Sequence, residues 1–175
     1  MRGMRVATVL PILMIRPPLV RCRIAACDAI PVFVARTARD GVHSIDELPE
    51  LLPNADAVVL IVPKTDETVG MVDAKFLAAM PDGALLVNGA RGPVVDTGAL
   101  LAELTSGRLR AAVDVTDPEP LPSDHPLWTA PNLLLTPHVA GSVLGFGDRF
   151  AALLVQQLGR HLRGEPLQNI VTGLY

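Results

Sequence analysis

Short apolar runs, each bounded by glycine, proline or polar residues, are the feature that most constrains how this chain can fold. Runs of this length and composition are typical of buried strands in a parallel sheet. Helical patterns separate them, and strands that alternate with helices predict an α/β fold with a doubly wound parallel sheet. The predicted strands are 31–35, 56–62, 84–87, 111–113 and 132–135; the predicted helices are 45–52, 74–80, 97–106 and 143–162.

Three charged or titratable side chains, which could act in catalysis, follow three of these apolar runs. Arg91, Glu119 and His138 come shortly after the strands predicted at 84–87, 111–113 and 132–135. Ligands of an open parallel sheet bind outside the carboxyl ends of its strands. We therefore expect a guanidinium, a carboxylate and an imidazole to lie together at one edge of the sheet.

The composition indicates a folded domain and argues against nucleic acid as a partner. Half of the 175 residues are hydrophobic, 19% are charged and the net charge is −3, which fits one folded domain and not a disordered chain. Without a basic block, and with only 3% aromatic residues, nucleic acid is not expected as a partner. The core is expected to be aliphatic.

The N-terminus resembles a short signal peptide, with a basic start followed by apolar residues. Arg16, Arg21 and Arg23 interrupt that pattern, and no run reaches the ~18 residues of a membrane span. Cys22 and Cys27 have no partners that suggest a disulfide framework or a metal site. We expect a cytoplasmic protein that binds neither a membrane nor a metal.

Three motifs carry a family resemblance: NGARG at 88–92, DVTDPEP at 114–120 and TPHVAG at 136–141. In this order they resemble the cofactor domain of the D-isomer-specific 2-hydroxyacid dehydrogenases. The resemblance implies a Rossmann-like doubly wound parallel sheet, incomplete at its N-terminal end, with an NAD(P)-binding domain at residues 32–172. It also implies a homodimer that transfers hydride between NAD(P)H and a 2-keto acid such as glyoxylate or hydroxypyruvate.

The resemblance assigns the catalytic roles to Arg91, Glu119 and His138. A histidine can give a proton to a carbonyl oxygen near neutral pH, and a neighbouring carboxylate favours the protonated imidazole. An arginine offers a planar fork to the substrate carboxylate or carbonyl oxygen. Taken singly, each residue also fits a surface or loop position; their joint order within the three motifs favours the site.

The resemblance also implies residues that contact the cofactor. Asp114 corresponds to a carboxylate near the nicotinamide amide, although it also fits a strand-end cap. Lys64 departs from the apolar residue usual in the family. The remaining expected contacts are Gly89, Ala90, Arg91 and His138, then Val62, Pro63 and Thr68 on the adenosine side, and Ala140 and Gly141 near the carboxamide.

Arginines follow the strand predicted at 31–35, in the sequence Arg36-Thr37-Ala38-Arg39. An acidic residue at this strand end suits the ribose of NAD, whereas an arginine suits the extra phosphate of NADP. We therefore expect Arg36 and Thr37 to contact the cofactor. The prediction is NAD or NADP, with NADP preferred, although a solvated basic turn fits the same residues.

Residues 1–31 form an atypical N-terminal segment. The family places a glycine-rich phosphate turn and a helix here, yet no glycine occurs between Met4 and Asp40, and Pro11, Pro17 and Pro18 obstruct a helix. The sequence therefore suggests a truncated or frame-shifted family member. It leaves open an alternative to the enzyme: a non-catalytic Rossmann-like fragment or interaction module that has lost cofactor binding.

Overall fold

The computed structural model describes residues 4–9 and 25–170. The strands of this part of the chain form a seven-stranded parallel sheet in the order β3-β2-β1-β4-β5-β6-β7. The predicted α/β, Rossmann-like sheet is confirmed. The strands are β1 Met4–Val9, β2 Ala29–Ala35, β3 His43–Ser44, β4 Ala57–Leu60, β5 Leu85–Asn88, β6 Arg110–Val113 and β7 Leu133–Leu135.

The strand order reverses beside β1. From β1 the chain proceeds outward through β2 to β3, and it then returns to place β4 on the other side of β1. Val9 at the end of β1 is level with Val34 of β2 and Leu60 of β4. Such a reversal is where doubly wound sheets bind their ligands, at the carboxyl ends of the strands.

Two strands extend into the segment that the sequence analysis set apart. β1 lies wholly within residues 1–31, and β2 begins at Ala29. Val6 and Ala7 of β1 are buried because β1 is a central strand, so this part of the N-terminal segment contributes to the core. Pro31 is tolerated in β2 because β3 pairs only farther along, from Val34. The expected glycine-rich turn and helix would fall in 10–24, outside the described residues.

Within the described residues, three α-helices connect the strands, α1 Leu48–Leu51, α2 Ala74–Ala79 and α3 Thr97–Thr105, and α4 Phe146–Leu162 follows β7 in the sequence. Asp73 caps α2, since its carboxylate accepts a hydrogen bond from the Phe76 backbone N at 2.8 Å. α4 begins at Phe146 instead of residue 143 because Gly145 before it adopts a left-handed conformation, with φ of 75°.

Ser44 and Glu47 form a capping box at the start of a 3-10 turn, Ile45–Glu47, that leads into α1. The Ser44 backbone N donates to Glu47 Oε1 at 2.7 Å, and the ring Nδ1 of His43 lies 2.6 Å from Glu47 Oε2. The hydrogen bond to His43, followed by the bond from Ser44, lowers the pKa of Glu47 below its usual value. One carboxylate therefore holds both the turn and the end of β3.

Arg108 joins the ends of α2 and α3. Its Nη1 and Nη2 donate to the carbonyl oxygens of Met80 and Leu77, at 2.7 and 2.6 Å, and its Nε donates to Glu103 Oε2 at 2.6 Å. The bond to Glu103 raises the pKa of Arg108. Because the last carbonyls of a helix have no partner within it, this arginine satisfies groups that the helix leaves open.

The core lies on both faces of the sheet and is mainly aliphatic, with Phe33 and Phe76 as its buried aromatic side chains. Its fully buried side chains include Leu60, Leu86, Leu104 and Leu109. Among the described residues, no helix is long and apolar enough to cross a membrane. The chain divides into two compact units, Met1–His138 and Val139–Tyr175. The described part of the first carries the sheet; that of the second carries α4, in which the Phe146 and Phe150 rings stack 6.1 Å apart.

Candidate functional site at the carboxyl edge of the sheet

The carboxyl ends of β5, β6 and β7 lie level at one edge of the sheet. Parallel pairing places Asn88 opposite Val113, and Val113 opposite Leu135. The backbone connections continue past the strands, because Asp114 N donates to Asn88 O at 3.0 Å and His138 N donates to Asp114 O at 2.8 Å. The loops that carry Arg91, Glu119 and His138 therefore start from one rigid row, as the sequence predicts.

Glu119 and His138 are in direct contact. Glu119 Oε1 lies 2.6 Å from His138 Nδ1, with the two side chains 39% and 50% exposed. His138 has a φ of 55°, a left-handed conformation that is uncommon for residues other than glycine. With Nδ1 engaged by the carboxylate, Nε2 is the ring nitrogen that can exchange a proton with a ligand.

The turn that carries Arg91 is built on a buried amide. Asn88 is only 1% exposed; its Nδ2 donates to Arg91 O at 3.2 Å and its Oδ1 accepts from Ala90 N at 3.0 Å. A buried amide satisfied in this way fixes the path of the backbone. The exposed Arg91 side chain bends back so that Nη1 donates to Ala90 O at 2.6 Å.

Gly92 brings the Arg91 turn against the loop that leads to Glu119. A Cβ added at Gly92 would lie 1.8 Å from Thr116 O and 2.2 Å from Thr116 C, distances that no side chain can tolerate. Thr97 Oγ1 also donates to Asp117 O at 2.8 Å. The Arg91 turn and the Glu119–His138 pair are thus parts of one packed structure, although Arg91 makes its hydrogen bond to its own turn and not to that pair.

The remaining residues expected near the nicotinamide surround the same turn. The Asp114 carboxylate is buried and Oδ1 accepts a hydrogen bond from Thr136 Oγ1 at 2.6 Å, so it also ties the ends of β6 and β7 together. Ala90 is buried, whereas Gly89 is exposed and an added Cβ there would meet no heavy atom within 4 Å. The space beside the Gly89 backbone is therefore open to a ligand.

The residues expected on the adenosine side lie after β2 and β4, across the end of β1. Arg36 and Thr37 are exposed immediately after β2, and Arg36 Nη2 lies 2.9 Å from Glu67 Oε1 in the loop after β4. In that loop, Val62 is buried and Thr68 is used internally: its Oγ1 donates to Pro63 O at 2.7 Å and accepts from Thr65 N at 2.8 Å.

Some contacts that hold this site were missed by sequence reasoning. Asn88, Gly92 and Thr136 all lie within or beside the quoted motifs, yet each acts on a partner that only the folded chain brings near. Ala140 and Gly141 belong to the second unit, so their assignment to the cofactor stays a prediction. Among the described residues, no group of three or more His, Cys, Asp or Glu side chains is placed to hold a metal ion.

Comparison with protein families gives a match over residues 19–140, to the model described as D-isomer specific 2-hydroxyacid dehydrogenase, NAD binding domain. The chain belongs to this family. The resemblance of the three motifs is therefore confirmed, and the matched region contains the described edge residues from Arg36 to His138.

Relatives in this family act on different substrates. Over 126 residues the chain is 40% identical to glyoxylate/hydroxypyruvate reductase B of Cronobacter sakazakii. The matched region is 71% of this chain and 39% of that protein. The chain spans about 40% of the length of the curated relatives that it matches, which include the chloroplastic/mitochondrial formate dehydrogenase of Arabidopsis thaliana.

Solved structures confirm the fold and include both cofactors. A D-isomer specific 2-hydroxyacid dehydrogenase from Xanthobacter autotrophicus Py2, in complex with NADPH and MES, matches with a TM-score of 0.82 and 35% identity, covering 97% of this chain and 71% of the other. The NAD-dependent formate dehydrogenase from Staphylococcus aureus, in complex with NAD, matches with a TM-score of 0.77 and 28% identity, covering 98% and 54%.

The described residues fit both ends of such a dinucleotide. The guanidinium after β2 suits a phosphate or a ribose at one end. The open backbone at Gly89 and the buried Asp114 carboxylate suit an amide-bearing ring at the other. These two places lie at the same carboxyl edge of the sheet, on either side of the strand-order reversal.

Proposed function

We propose that this chain supplies the cofactor domain and the acid–base residues of an NAD(P)-dependent D-2-hydroxyacid dehydrogenase. The reaction would interconvert a 2-keto acid, such as glyoxylate or hydroxypyruvate, and the corresponding D-2-hydroxy acid. The observation that carries the proposal is the 2.6 Å contact between Glu119 and His138, beside the Arg91 turn at the carboxyl edge of the sheet.

The nicotinamide, when bound, supplies the hydride for reduction or accepts it in the reverse direction. His138 gives a proton from Nε2 to the carbonyl oxygen in reduction, and it takes the hydroxyl proton in oxidation. Glu119 holds the Nδ1 proton, so it fixes the orientation of the ring and stabilises the imidazolium. Arg91 releases the carbonyl oxygen of Ala90 and binds the carboxylate of the substrate.

We further propose how the chain's residues divide the cofactor between them. Arg36 and Thr37 would hold the ribose or its phosphate, and this arginine favours NADP over NAD. The nicotinamide end would face Asp114 and the Gly89 backbone. The other residues assigned to the cofactor are Val62, Pro63, Thr68, Ala90, Arg91, His138, Ala140 and Gly141.

A direct test measures cofactor binding first and turnover second. We expect calorimetric titration to show binding of NADPH and NADH, and glyoxylate or hydroxypyruvate to be reduced with loss of nicotinamide absorbance. His138→Ala should lower kcat by about 100-fold or more, while NADPH still binds through the other residues assigned to the cofactor. His161→Ala, which removes an exposed histidine of α4, is the matched control. An unchanged kcat in His138→Ala would refute its role as the proton donor.

A non-catalytic role is the alternative that one observation favours. No glycine occurs between Met4 and Asp40, where the family places the turn that cradles the pyrophosphate. If the chain binds neither NADPH nor NADH at millimolar concentration, it is a Rossmann-like interaction module and not an enzyme. Binding without turnover of any 2-keto acid tested would instead indicate a module that senses the cofactor.

We also propose that the protein is a cytoplasmic homodimer, as family members usually pair through the cofactor domain. Light scattering coupled to size-exclusion chromatography tests the proposed dimer directly. A mass equal to twice the 18.6 kDa of the chain is expected, and a monomer at all concentrations would refute it.

A further inference from the structure

One ion pair crosses the strand-order reversal. Arg36 directly follows the last residue of β2, and Glu67 lies in the loop after β4. Nη2 of Arg36 lies 2.9 Å from Oε1 of Glu67. β1 lies between β2 and β4, so the two side chains together span two strand intervals, about 10 Å. The pair therefore lies over the carboxyl end of β1, where a doubly wound sheet receives its dinucleotide.

The two members of the pair favour opposite cofactors. A guanidinium at this place attracts the extra phosphate of NADP, whereas a carboxylate accepts hydrogen bonds from the ribose hydroxyls of NAD and repels a phosphate. Both side chains are mostly exposed, at 65% and 62%, so the bond between them is weak and can be exchanged for one to a ligand. When the extra phosphate of NADP binds the Arg36 guanidinium, it displaces the Glu67 carboxylate but remains close to its negative charge.

We propose that Glu67 is a specificity-determining residue that restrains the preference of Arg36 for NADP. The inference rests on the proposed cofactor site after β2. In the unliganded protein Glu67 forms an ion pair with the Arg36 guanidinium. In the complex with NADP its negative charge repels the 2′-phosphate. The ratio of NADPH to NADH affinity is thus set by two residues on separate loops and not by Arg36 alone.

The test compares dissociation constants of NADPH and NADH, measured by calorimetry, for Glu67→Gln and for a charge-matched control. Asp66→Asn removes the same charge one position away and leaves the Arg36–Glu67 bridge in place. Glu67→Gln is expected to tighten NADPH binding by between about 3- and 10-fold, with NADH changed by less than about 2-fold. Asp66→Asn is expected to change the NADPH:NADH ratio by less than about 2-fold.

A double-mutant cycle shows whether the effect acts through Arg36. In an Arg36→Ala background, Glu67→Gln should lose the part of its effect on NADPH that comes from competition for the guanidinium and keep the smaller part that comes from repulsion of the 2′-phosphate. An affinity ratio that is equal in Glu67→Gln and Asp66→Asn overturns this inference and leaves the proposed dehydrogenase standing. A wild-type chain that binds neither cofactor overturns both, so the two failures are distinguishable.

Discussion

Gly92→Ala is the substitution that most directly tests how the site is built. The added Cβ would lie 1.8 Å from Thr116 O, 2.2 Å from Thr116 C and 2.8 Å from Asp117 N. All three are backbone atoms, so no side-chain rotation can relieve the overlap. A carbon and a carbonyl oxygen need a separation of about 3.3 Å, and the two loops must therefore move apart by about 1.5 Å.

That displacement has an energetic and a functional consequence. Overpacking a well-packed region costs about 1 to 3 kcal/mol, and a rigid backbone partner places this case at the upper end. For a chain of this length, about 3 kcal/mol lowers the melting temperature by about 6 to 12 °C. Because Thr116 leads to Glu119, the same shift separates the Arg91 turn from the acid–base pair, and we expect turnover to fall more than cofactor binding.

The assay is thermal unfolding followed by circular dichroism, with urea unfolding to give the free energy. Gly89→Ala is the matched control, since a Cβ there meets nothing within 4 Å in the same turn. It should leave stability within about 0.5 kcal/mol of wild type. If Gly92→Ala is as stable as Gly89→Ala, the close approach of the two loops is not what holds the Arg91 turn in place.

Two further predictions concern stability away from the site. Arg108→Met should lower the free energy of unfolding, measured in urea, by about 2 to 4 kcal/mol, because Glu103 and the last carbonyls of α2 lose a hydrogen-bond donor. Arg110→Met removes an exposed arginine as the control and should lower it by less than about 1 kcal/mol. The bond to His43 lowers the pKa of Glu47 from 4.5, so the ionised carboxylate stabilises the fold above that pH, and this contribution is lost as the pH falls through the folded-state pKa. Glu47→Gln should therefore flatten the acid limb of stability against pH, and an unchanged limb would contradict this.

Local signals in the sequence predicted the helices well. The caps at Ser44 and Asp73 and the left-handed Gly107 after α3 are formed by residues within a few positions of one another, so their chemistry is readable before folding. The His43–Glu47 pair is a further local signal, since Glu47 follows His43 at helical spacing and the two side chains are in contact.

β1 was missed for a different reason. Its apolar residues follow a basic N-terminus and precede prolines and arginines, which together resemble a leader more than a strand. What makes Met4–Val9 a strand is pairing with β2 on one side and β4 on the other, more than 15 residues later in each case. Pairing over such separations is a tertiary effect that local patterns do not report.

The site could be predicted in outline but not in its supports. Arg91, Glu119 and His138 were recognisable because each follows a buried strand, and parallel strands end at a common edge. Asn88 and Gly92 support that edge through contacts with a turn and with a loop from another strand. A glycine that permits close approach looks, in sequence, like any glycine in a turn.

The two proposed sites lie apart along the width of the sheet. The Arg36–Glu67 bridge lies over the carboxyl end of β1, between β2 and β4, while the Glu119–His138 pair follows β6 and β7. β1 and β6 are three strand intervals apart, about 14 Å, a distance at which substitutions usually act additively. Under the proposed roles, substitutions that change the choice of nucleotide should therefore leave proton transfer unaltered, and substitutions that change the substrate should leave nucleotide binding unaltered.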